Sequence, residues 1–375
     1  MKPHDTISFV IEENFYSPAY SKVAEFLQNN IRNGIFKHGA SLPPEPALAE
    51  KLGVSRVTLR HALKNLEQKG LIIRRRGRSG GNFICIPGKG NPVSRTFGIV
   101  CNLKNPNREP YFLDILEGIQ SQLGEKANLF LTSTIGDNIL DFYNANHLDG
   151  VLIINPSVDN ADLFNSLLLE AIPHVIISMS TEHIKNDKLV SVDTDNRTGS
   201  IAAMQYLMRL GHTRIAYIGS HVVYSNSMDR LNGYEKALEE NKIEIDSELI
   251  HIKGKAQEYD GFARNAVKVM LTLKNPPTAI FAAGFTMAME TILALEEAGL
   301  KVPEDVSVLG FDDFEPSINV HKPFLTTVRQ PLVELGQNAA RKIMEWINTG
   351  NVKEKQLILQ TELIIRNSCS KIKQG

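Results

Sequence analysis

The chain of 375 residues has only three cysteines, Cys85, Cys101 and Cys369, at spacings that fit neither a disulfide framework nor a metal site. This scarcity indicates a reducing compartment, and we expect no metal and no cofactor. No apolar run reaches the roughly 18 residues that a membrane span needs. The first residues, MKPHDTISFVIEEN, lack the basic start and apolar core of a signal peptide. We therefore expect a cytoplasmic protein with no membrane partner.

Sequence patterns that identify common enzymes are missing as well. The chain contains no G-x-S-x-G element, no metal-ligand spacing and no phosphate-binding loop, and a lone histidine such as His212 is more often structural than catalytic. Hydrophobic residues make up 42% and charged residues 22% of the chain, as in ordinary globular proteins. We therefore expect two or three folded domains in a protein that is not an enzyme and has no catalytic residues.

The distribution of charge along the chain is more informative than the net charge of −1. Residues 1–88 contain 13 lysines and arginines against 7 acidic residues, which leaves +6, while the remainder contains 28 against 35, which leaves −7. A basic end joined to an acidic body predicts that only the basic end binds nucleic-acid phosphates.

Three helical patterns occupy the amino-terminal part of the chain. Apolar residues recur at helical spacing over residues 18–33, and Leu48 and Leu52 mark a second, short helix. Ser55 is a natural N-cap for a third helix. The buried stripe of that third helix is predicted to be Leu59, Ala62, Leu63 and Leu66.

The opposite face of the third helix is predicted to contact DNA. With the apolar stripe inside, Arg56, Val57 and Arg60 lie on or near the solvent face, and the two arginines are stacked because they are four residues apart. Arginine can fork onto guanine edges or bind phosphates, and valine can contact a thymine methyl group. This face therefore has the chemistry to read a major groove.

A short basic hairpin follows the third helix. Residues 71–73 and 83–86 alternate as two strands around a loop of glycine, serine and arginine. The hairpin contains four arginines: Arg74, Arg75, Arg76 and Arg78. Four arginines alone fit a solvated face equally well, but directly after a helix-turn-helix pattern they favour a DNA-contacting wing.

The stretch LPPEPALAEKLGVSRVTLRHALKNLEQKGLI, with the hairpin end GGNFI, resembles the winged helix-turn-helix domain of GntR-type regulators. Two departures leave the operator sequence unpredictable: Pro44 stands where a serine or threonine usually caps the second helix, and the wing is about two residues longer than the common form. The resemblance implies operator contacts by Glu45, Arg56, Thr58, Arg60, Arg76 and Gly77. The full set of expected DNA-contacting residues also includes Ser55, Val57 and Arg78.

A linker and a second rhythm of elements follow the head. We assign residues 1–86 to the DNA-binding domain, residues 87–96, rich in glycine, proline and polar residues, to a linker, and residues 97–370 to a larger domain. In that domain short apolar strands alternate with helical patterns, which predicts an α/β fold with doubly wound parallel sheets in two lobes. Ligands of such folds bind beyond the carboxyl ends of the strands. Six strand patterns lie at residues 97–103, 151–156, 174–179, 214–219, 278–283 and 306–311.

Long segments of the larger domain resemble the effector domain of LacI/GalR-type repressors. They include VDTDNRTGSIAAMQYLMRLGHTRIAYIG, DRLNGYEKAL and VPEDVSVLGFDDFEPSINVHKPFLTTVRQPLVELGQNAA, and the resemblance extends from Phe97 to about Asn367. It implies a two-lobed domain like the periplasmic sugar-binding proteins. It also implies a small-molecule effector, a monosaccharide, as partner.

Polar candidates for the effector site come from the resemblance and from side-chain chemistry. Asp195 and Arg230 match positions that bind sugar hydroxyls in that family. A carboxylate can accept from two adjacent hydroxyls, and a guanidinium donates as a planar fork. Asn196 fits either a ligand contact or a helix cap, and Asp312, just past a strand, fits either a ligand contact or a turn.

Aromatic residues supply the other candidates. Tyr111 and Phe112 lie after the first strand, where they either wall the ligand or belong to the core. Gly284-Phe285 replaces an Asn-Asp pair that is common in the family, so the usual carboxylate is missing. We hypothesise that the Phe285 ring packs on a less polar sugar, a pentose or deoxy sugar such as arabinose or fucose. The alternative is that Phe285 only packs between the lobes.

Together the two resemblances imply a regulator that binds double-stranded operator DNA. We expect a homodimer on a near-palindromic operator, because two heads divide sequence specificity between two half-sites. Family analogy favours a repressor of carbohydrate-utilisation genes that the sugar releases from its operator. Two alternatives stay open: an effector domain that binds a non-sugar ligand or a protein partner, and a regulator that activates.

Overall fold

The structure of the protein is a computed structural model. It describes residues 18–37, 39–75, 80–85, 95–101, 109–124, 127–133, 139–146, 148–184, 186–254, 261–314 and 323–372. Within these ranges no helix is both long enough and apolar enough to cross a membrane. An amino-terminal head is followed by a larger domain of two lobes, between which the chain crosses more than once.

The head consists of three helices and a two-stranded hairpin. In chain order these are α1 (Ala19–Arg32), α2 (Glu45–Lys51), α3 (Arg56–Gln68), β1 (Ile72–Arg75) and β2 (Gly81–Ile84), with β1 and β2 antiparallel. Ser55 caps α3 as predicted, because its hydroxyl accepts the N–H of Thr58 at 3.1 Å. The predicted stripe of α3 is buried in the head core. The predicted helix-turn-helix and hairpin are thus confirmed.

The larger domain alternates strands and helices. In chain order its elements are β3 (Arg95–Val100), α4 (Glu109–Leu123), β4 (Ala127–Thr132), α5 (Ile139–Ala145), β5 (Gly150–Ile154), α6 (Ala161–Leu169), β6 (His174–Ile177), β7 (Ser191–Thr194), α7 (Asn196–Arg209), β8 (Ile215–Gly219), α8 (Ser225–Glu240), β9 (Ile250–Ile252), α9 (Phe262–Leu271), β10 (Ala279–Ala282), α10 (Phe285–Glu297), β11 (Ser307–Phe311), β12 (Thr326–Arg329), α11 (Leu332–Thr349), β13 (Gln356–Leu359) and β14 (Glu362–Ile364).

The first lobe is built on a parallel sheet in the order β13-β7-β6-β5-β3-β4. Helices α4 and α11 pack on one face of this sheet, and α5 and α6 pack on the other. Because both faces are covered, β5 is buried along its whole length and its sequence, GVLII, is continuously apolar.

The second lobe repeats the arrangement with the sheet order β14-β12-β11-β10-β8-β9, in which only the β12–β14 pair is antiparallel. Helices α7 and α8 cover one face, and α9 and α10 cover the other. The predicted two-lobed α/β fold with doubly wound parallel sheets is therefore confirmed.

The chain passes between the lobes at three places. These are the β7–α7 junction at Asp195, the β12–α11 junction at Gln330 and the β13–β14 junction. Three crossing segments side by side form a hinge about which two lobes can close on a ligand. The ligand space of such a domain lies at the carboxyl edges of both sheets.

The sequence patterns identified only half of the twelve strands that the structure describes in this domain. The missed strands are β4, β7, β9, β12, β13 and β14. Strands such as β7 (SVDT) and β12 (TTVR) are rich in polar residues, so they do not produce an apolar run. The described strand β3 begins at Arg95, inside the segment assigned to the linker, and residues 86–94 lie outside the described ranges.

Candidate functional site

The exposed face of α3 contains the residues predicted to read DNA. Arg56, Val57 and Arg60 are all exposed, and Val57 is 63% exposed. They lie opposite the buried stripe, so their side chains point away from the head core. An exposed helix with two arginines and an aliphatic residue on one face suits insertion into a major groove.

Ser55 and Thr58 are engaged with each other at the start of α3. Their hydroxyl oxygens are 2.8 Å apart, and Ser55 also accepts the backbone N–H of Thr58. This capping contact fixes the first turn of the helix, which is the turn that presents Arg56 and Val57. The two hydroxyls therefore contribute first to the shape of the helix that is predicted to read DNA.

Glu45 connects the three elements of the predicted DNA-binding surface. It is the first residue of α2, and its carboxylate accepts from Nη2 of Arg74 on β1 at 2.5 Å. The other carboxylate oxygen lies 3.5 Å from Nε of Arg60 on α3. An acidic side chain thus sits between two arginines that were predicted to serve the same surface.

The wing arginines do not share one environment. Arg74 is paired with Glu45, whereas Arg75 forms an ion pair with Asp149 of the first lobe. Burial lowers the pKa of Arg75. The remaining predicted wing residues Arg76, Gly77 and Arg78 lie outside the described residues.

A cleft opens between the carboxyl edges of the two sheets and encloses about 650 Å³, including its mouth. Four of the six predicted ligand residues line it: Tyr111, Arg230, Phe285 and Asp312. Residues 102–108, which follow β3, lie outside the described residues. The structure adds lining residues that the sequence patterns missed, among them Asn155, Asn226, Ser227 and Phe314.

Arg230 is the lining cation, and its guanidinium is almost fully engaged. Nε donates to Asn196 Oδ1 at 2.9 Å, and Nη1 donates to the Ala283 carbonyl at 3.0 Å. Nη1 and Nη2 also face the Asp312 carboxylate at 3.5 and 3.4 Å. The guanidinium carbon lies 3.8 Å from the centre of the Phe311 ring, a cation–π contact. These contacts hold the group in one orientation at the cleft wall.

A ring of side chains joins the cleft to the hinge. From Arg230 it runs through Asn196 to Thr194, whose hydroxyl donates to Gln330 Oε1 at 2.5 Å. Gln330 Nε2 then donates to Asp312 Oδ1 at 2.5 Å, and Asp312 faces Arg230 again. A ligand that moves Arg230 or Asp312 therefore acts directly on two of the three crossing segments.

Two predicted ligand residues do not line the cleft. Phe112 is buried in the first-lobe core. Asp195 caps α7 by accepting the N–H of Thr198 at 2.9 Å. The helix cap considered for Asn196 is therefore provided by its neighbour, and the Asn196 amide instead orients Arg230.

Three residues at the ends of strands in this region adopt left-handed backbone conformations. Asn155 follows β5, Ser178 follows β6 and Asp312 follows β11, with φ values of 48°, 62° and 71°. Non-glycine residues rarely adopt this conformation, and when they do they cluster at ligand sites. Asn155 and Asp312 both line the cleft, so the backbone turns there present polar side chains to a ligand.

The cleft also contains a buried hydroxyl group that makes no hydrogen bond of normal geometry. Tyr111 is 7% exposed, and the hydroxyl of Ser178 lies near its own, but neither oxygen has a well-formed hydrogen bond. Burial raises the pKa of Tyr111 and the contact with Ser178 opposes the rise, so the group stays protonated and can donate. A poorly bonded buried hydroxyl is costly, and a ligand hydroxyl would supply a better bond.

Phe285 forms an aromatic wall with Phe314. The two rings meet edge to face with centroids 5.3 Å apart, and both line the cleft. Phe314 also packs against the first-lobe core although it follows a second-lobe strand. Both hypotheses for Phe285 thus have a geometric basis: its ring borders the ligand space and belongs to a contact between the lobes.

The head and the cleft define a DNA-binding regulator whose second domain binds an effector. The family model for bacterial regulatory proteins of the gntR family matches residues 19–80, and that for a periplasmic binding protein-like domain matches residues 204–369. Within the described residues no cluster of three or more metal-ligating side chains occurs.

Similar proteins are named as transcriptional regulators. The chain is 30% identical over 271 residues to the HTH-type transcriptional repressor PurR of Mannheimia succiniciproducens, across 70% of this chain and 78% of that one. It is 28% identical over 281 residues to the probable HTH-type transcriptional repressor ExuR of Bacillus subtilis, across 74% and 82%. The solved complex of the transcriptional regulator CelR with cellobiose matches with a TM-score of 0.65 and 26% identity, across 87% of this chain and 100% of that one.

The chain therefore belongs to the transcriptional repressors that join a GntR-type helix-turn-helix head to a LacI-type, periplasmic-binding-protein-like effector domain. Like these relatives, it is a DNA-binding regulator and not an enzyme. The predictions of fusion architecture, fold class and repression are confirmed.

Proposed function

We propose that the protein acts in the cytoplasm as a homodimeric repressor of carbohydrate-utilisation genes, and that a monosaccharide bound between the lobes releases it from a near-palindromic operator. The observation that carries this proposal is the charge balance of the cleft. Arg230 and Asp312 are the charged residues among its described lining, and they are paired with each other. Such a surface suits an uncharged ligand rich in hydroxyl groups.

The hydrogen-bond capacity of the pair supports the same ligand class. Four of the five N–H donors of Arg230 are used by Asn196, Ala283 and Asp312. An anionic ligand would have to displace Asp312 and leave it buried without its cation, which is costly. A sugar hydroxyl instead accepts the remaining N–H of Arg230 and donates to Asp312, so the pair stays intact.

The aromatic wall narrows the ligand class further. The Phe285 and Phe314 rings cover one side of the cleft, and C–H groups of a sugar face pack well on such rings. A pentose or a deoxy sugar has a less polar face than a fully hydroxylated hexose. The relative CelR, solved with cellobiose, supports a carbohydrate as effector.

A thermal-shift screen tests the effector class. Neutral pentoses and deoxy sugars are compared with the corresponding uronic acids. The screen detects binding because a ligand at about 100 times its Kd stabilises the folded protein by about 2.7 kcal/mol. We expect the neutral sugars to raise the melting temperature and an Arg230→Met variant to lose the response. Stabilisation by the acids alone would refute the proposal of a neutral sugar. The proposed role of the Phe285 ring has its own test: if calorimetry finds that Phe285→Asp binds the effector with unchanged affinity, the ring does not contact the sugar.

The division of labour between head and body is tested by Arg60→Ala. Because Arg60 is exposed on α3 of the head and is not among the residues that line the cleft, the substitution should weaken operator binding by about 10- to 100-fold, as expected for one guanine-reading arginine. The sugar-induced thermal shift should stay unchanged. Loss of both activities would contradict the assignment.

Exposed apolar side chains support the homodimer. Val269 on α9 and Leu293 on α10 are 54% and 49% exposed on two helices that pack against each other. Exposed apolar patches on a soluble protein often mark interfaces. Leu293→Lys should shift the mass measured by light scattering from dimer to monomer, whereas Leu169→Lys, at a more exposed leucine on α6, should not. A dimer that survives Leu293→Lys would remove this surface from the interface.

A further inference from the structure

Glu45 lies at the centre of the DNA-binding surface yet has the charge that DNA repels. Its Oε1 accepts from Arg74 Nη2 at 2.5 Å, and its Oε2 lies 3.5 Å from Arg60 Nε. Only 20% of the Glu45 side chain is exposed, against 61% for Arg60 and 48% for Arg74. The carboxylate is therefore held behind two arginines that reach further into solvent.

The position of Glu45 in the fold explains why it remains there. It is the first residue of α2, where the helix dipole favours a negative side chain. Pro44, which precedes it, provides no side-chain cap. Glu45 thus belongs to α2, while its two partners belong to the recognition helix α3 and to the wing strand β1. One carboxylate links all three elements.

The contact between Glu45 and Arg60 is made by Nε of the guanidinium, at 3.5 Å from Oε2. It does not require the two terminal Nη groups, which form a planar fork on a side chain that is 61% exposed. That fork is the shape that binds the O6 and N7 atoms of guanine. Glu45 therefore orients Arg60 toward a base edge without using the donors that the base requires.

The contact between Glu45 and Arg74 hinders phosphate binding by Arg74. Arg74 reaches Glu45 through Nη2, the outer end of its guanidinium. To bind a DNA phosphate at that end, Arg74 must leave Glu45, and the carboxylate then faces the phosphates with Arg60 as its one remaining partner of the two. Non-specific binding consists almost entirely of phosphate contacts, so the cost of separating Arg74 from Glu45 is the same for every DNA sequence. On the operator, a guanine that binds Arg60 offsets that cost.

We propose that Glu45 is a specificity-determining positioning residue that orients Arg60 for base reading and withholds Arg74 from phosphates on non-cognate DNA. In this role the carboxylate acts through the two arginines and not through a bond of its own to a base. Its removal should make the repressor bind arbitrary DNA more tightly and choose its operator less well.

The test compares Glu45→Gln with Glu50→Gln in the full-length protein. Glu50 lies on the same helix and is exposed, so both variants change the net charge equally. Affinity for a short duplex of random sequence is measured by fluorescence anisotropy between about 50 and 200 mM salt. Relative to the control, Glu45→Gln should bind two- to fivefold more tightly, the range of an exposed ion pair, with a slope of log K against log salt steeper by about one.

Two further measurements separate positioning from other roles. In an Arg74→Gln background, Glu45→Gln should no longer change the salt slope, because the partner that it releases is absent. Duplexes are also selected from a random pool with each variant. The duplexes selected by Glu45→Gln should show no base preference at the position where those selected by Arg60→Ala show none. Equal behaviour of Glu45→Gln and Glu50→Gln would overturn the proposal. A second result would also overturn it: Glu45→Gln binds random DNA with unchanged affinity but loses preference at a base pair that Arg60→Ala does not affect. That result would indicate a direct contact between Glu45 and the base pair.

Discussion

His183 and Asp229 face each other between the two lobes and form an ion pair when the imidazole is protonated: Nε2 of His183 lies 2.9 Å from Oδ1 of Asp229. His183 follows β6 of the first lobe, and Asp229 lies on α8 of the second. Two hydrogen bonds cross the same gap nearby. The N–H of Ser180 donates to the Ser225 hydroxyl at 3.1 Å, and the Asn226 amide donates to Asn155 at 3.2 Å. The start of α8 is therefore tied to the first lobe beside the ligand cleft.

Removing His183 should favour the open arrangement of the lobes. A ligand that binds between two lobes selects the closed state, and a partly exposed ion pair contributes up to about 1 kcal/mol. We expect His183→Ala to weaken the effector found in the sugar screen by about three- to fivefold in calorimetry. His221→Ala is the control, because the ring of His221 bonds within its own loop, to the N–H of Val223. Equal affinities of both variants would show that the ion pair does not stabilise closure.

Gln330 should carry the coupling between the cleft and the hinge. It is 7% exposed and bonded to both Thr194 and Asp312. Gln330→Leu removes one hydrogen-bond partner from each of these two groups, which leaves Thr194 with Asn196 and Asp312 with Arg230, and the loss of such a bond costs about 1–3 kcal/mol. We expect weaker effector binding by at least tenfold and a lower melting temperature. Gln337→Leu, at a half-buried glutamine of α11 whose amide donates to Ser121 outside the ring, should leave effector binding unchanged. Normal effector response in Gln330→Leu would remove the ring from the mechanism.

Helices α4 and α11 cross at two glycines that cannot be enlarged. A side chain on Gly118 would meet the backbone of Val333, and one on Gly336 would meet the backbone of Ile115. Backbone atoms cannot yield as side chains do, so Gly118→Ala should destabilise the first lobe by about 1–3 kcal/mol. Gly284→Ala should have little effect on stability, because nothing lies within 4 Å of its added carbon. Urea unfolding of the two variants gives the comparison.

Asp193 should make the protein less stable as the pH rises. It lies on β7 with 3% of its surface exposed, and burial raises its pKa to about 7, with Asp229 adding to the rise and Arg230 opposing it. In the unfolded chain the Asp193 carboxyl ionises at about pH 4. Between about pH 4 and 7 ionisation therefore stabilises only the unfolded state.

The variant Asp193→Asn removes this titration. Its stability advantage over the wild type should grow from about pH 4 to pH 7, up to roughly 4 kcal/mol, and stay constant above that range. Urea unfolding at a series of pH values measures the difference. A constant difference across the series would mean that the Asp193 carboxyl titrates normally.

His174 should show the opposite dependence on pH. Burial lowers its pKa to about 4, and its Nδ1 lies 2.8 Å from the Ile172 carbonyl oxygen, to which the neutral ring donates. The unfolded histidine binds a proton below about pH 6.5, so stability is lost as the pH falls from there to about 4, by up to roughly 3 kcal/mol. In urea unfolding, His174→Phe should lose less stability than the wild type over this range. Parallel curves for the two proteins would contradict the assignment.

Local patterns were sufficient for the head because its contacts are close in sequence. The Ser55 cap and the α3 stripe span one helix, and the hairpin follows directly. In the larger domain the apolar strands of the sheet centres were recognisable, since burial on both faces requires continuous apolar residues. Edge and hinge strands such as β7 and β12 were not, because their polar residues serve contacts with distant segments.

The effector site shows the same limit. Arg230 and Asp312 were predicted, but their pairing through Asn196, Thr194 and Gln330 joins residues up to 136 positions apart, and no pattern in the chain records that. Asp195 and Asn196 illustrate the point: one caps α7 and the other orients Arg230, although both are short polar residues at the start of the same helix.

The amino-acid sequence alone determined the class of protein: a basic helix-turn-helix head, an α/β body and their order in the chain. These follow from periodicity, capping and charge, which act over one or two turns of backbone. Only the tertiary structure decided which charges neutralise each other. Glu45 meets Arg60 and Arg74, and Arg230 meets Asp312, because folding brings separate elements within a few ångströms, the range over which ion pairs and hydrogen bonds act.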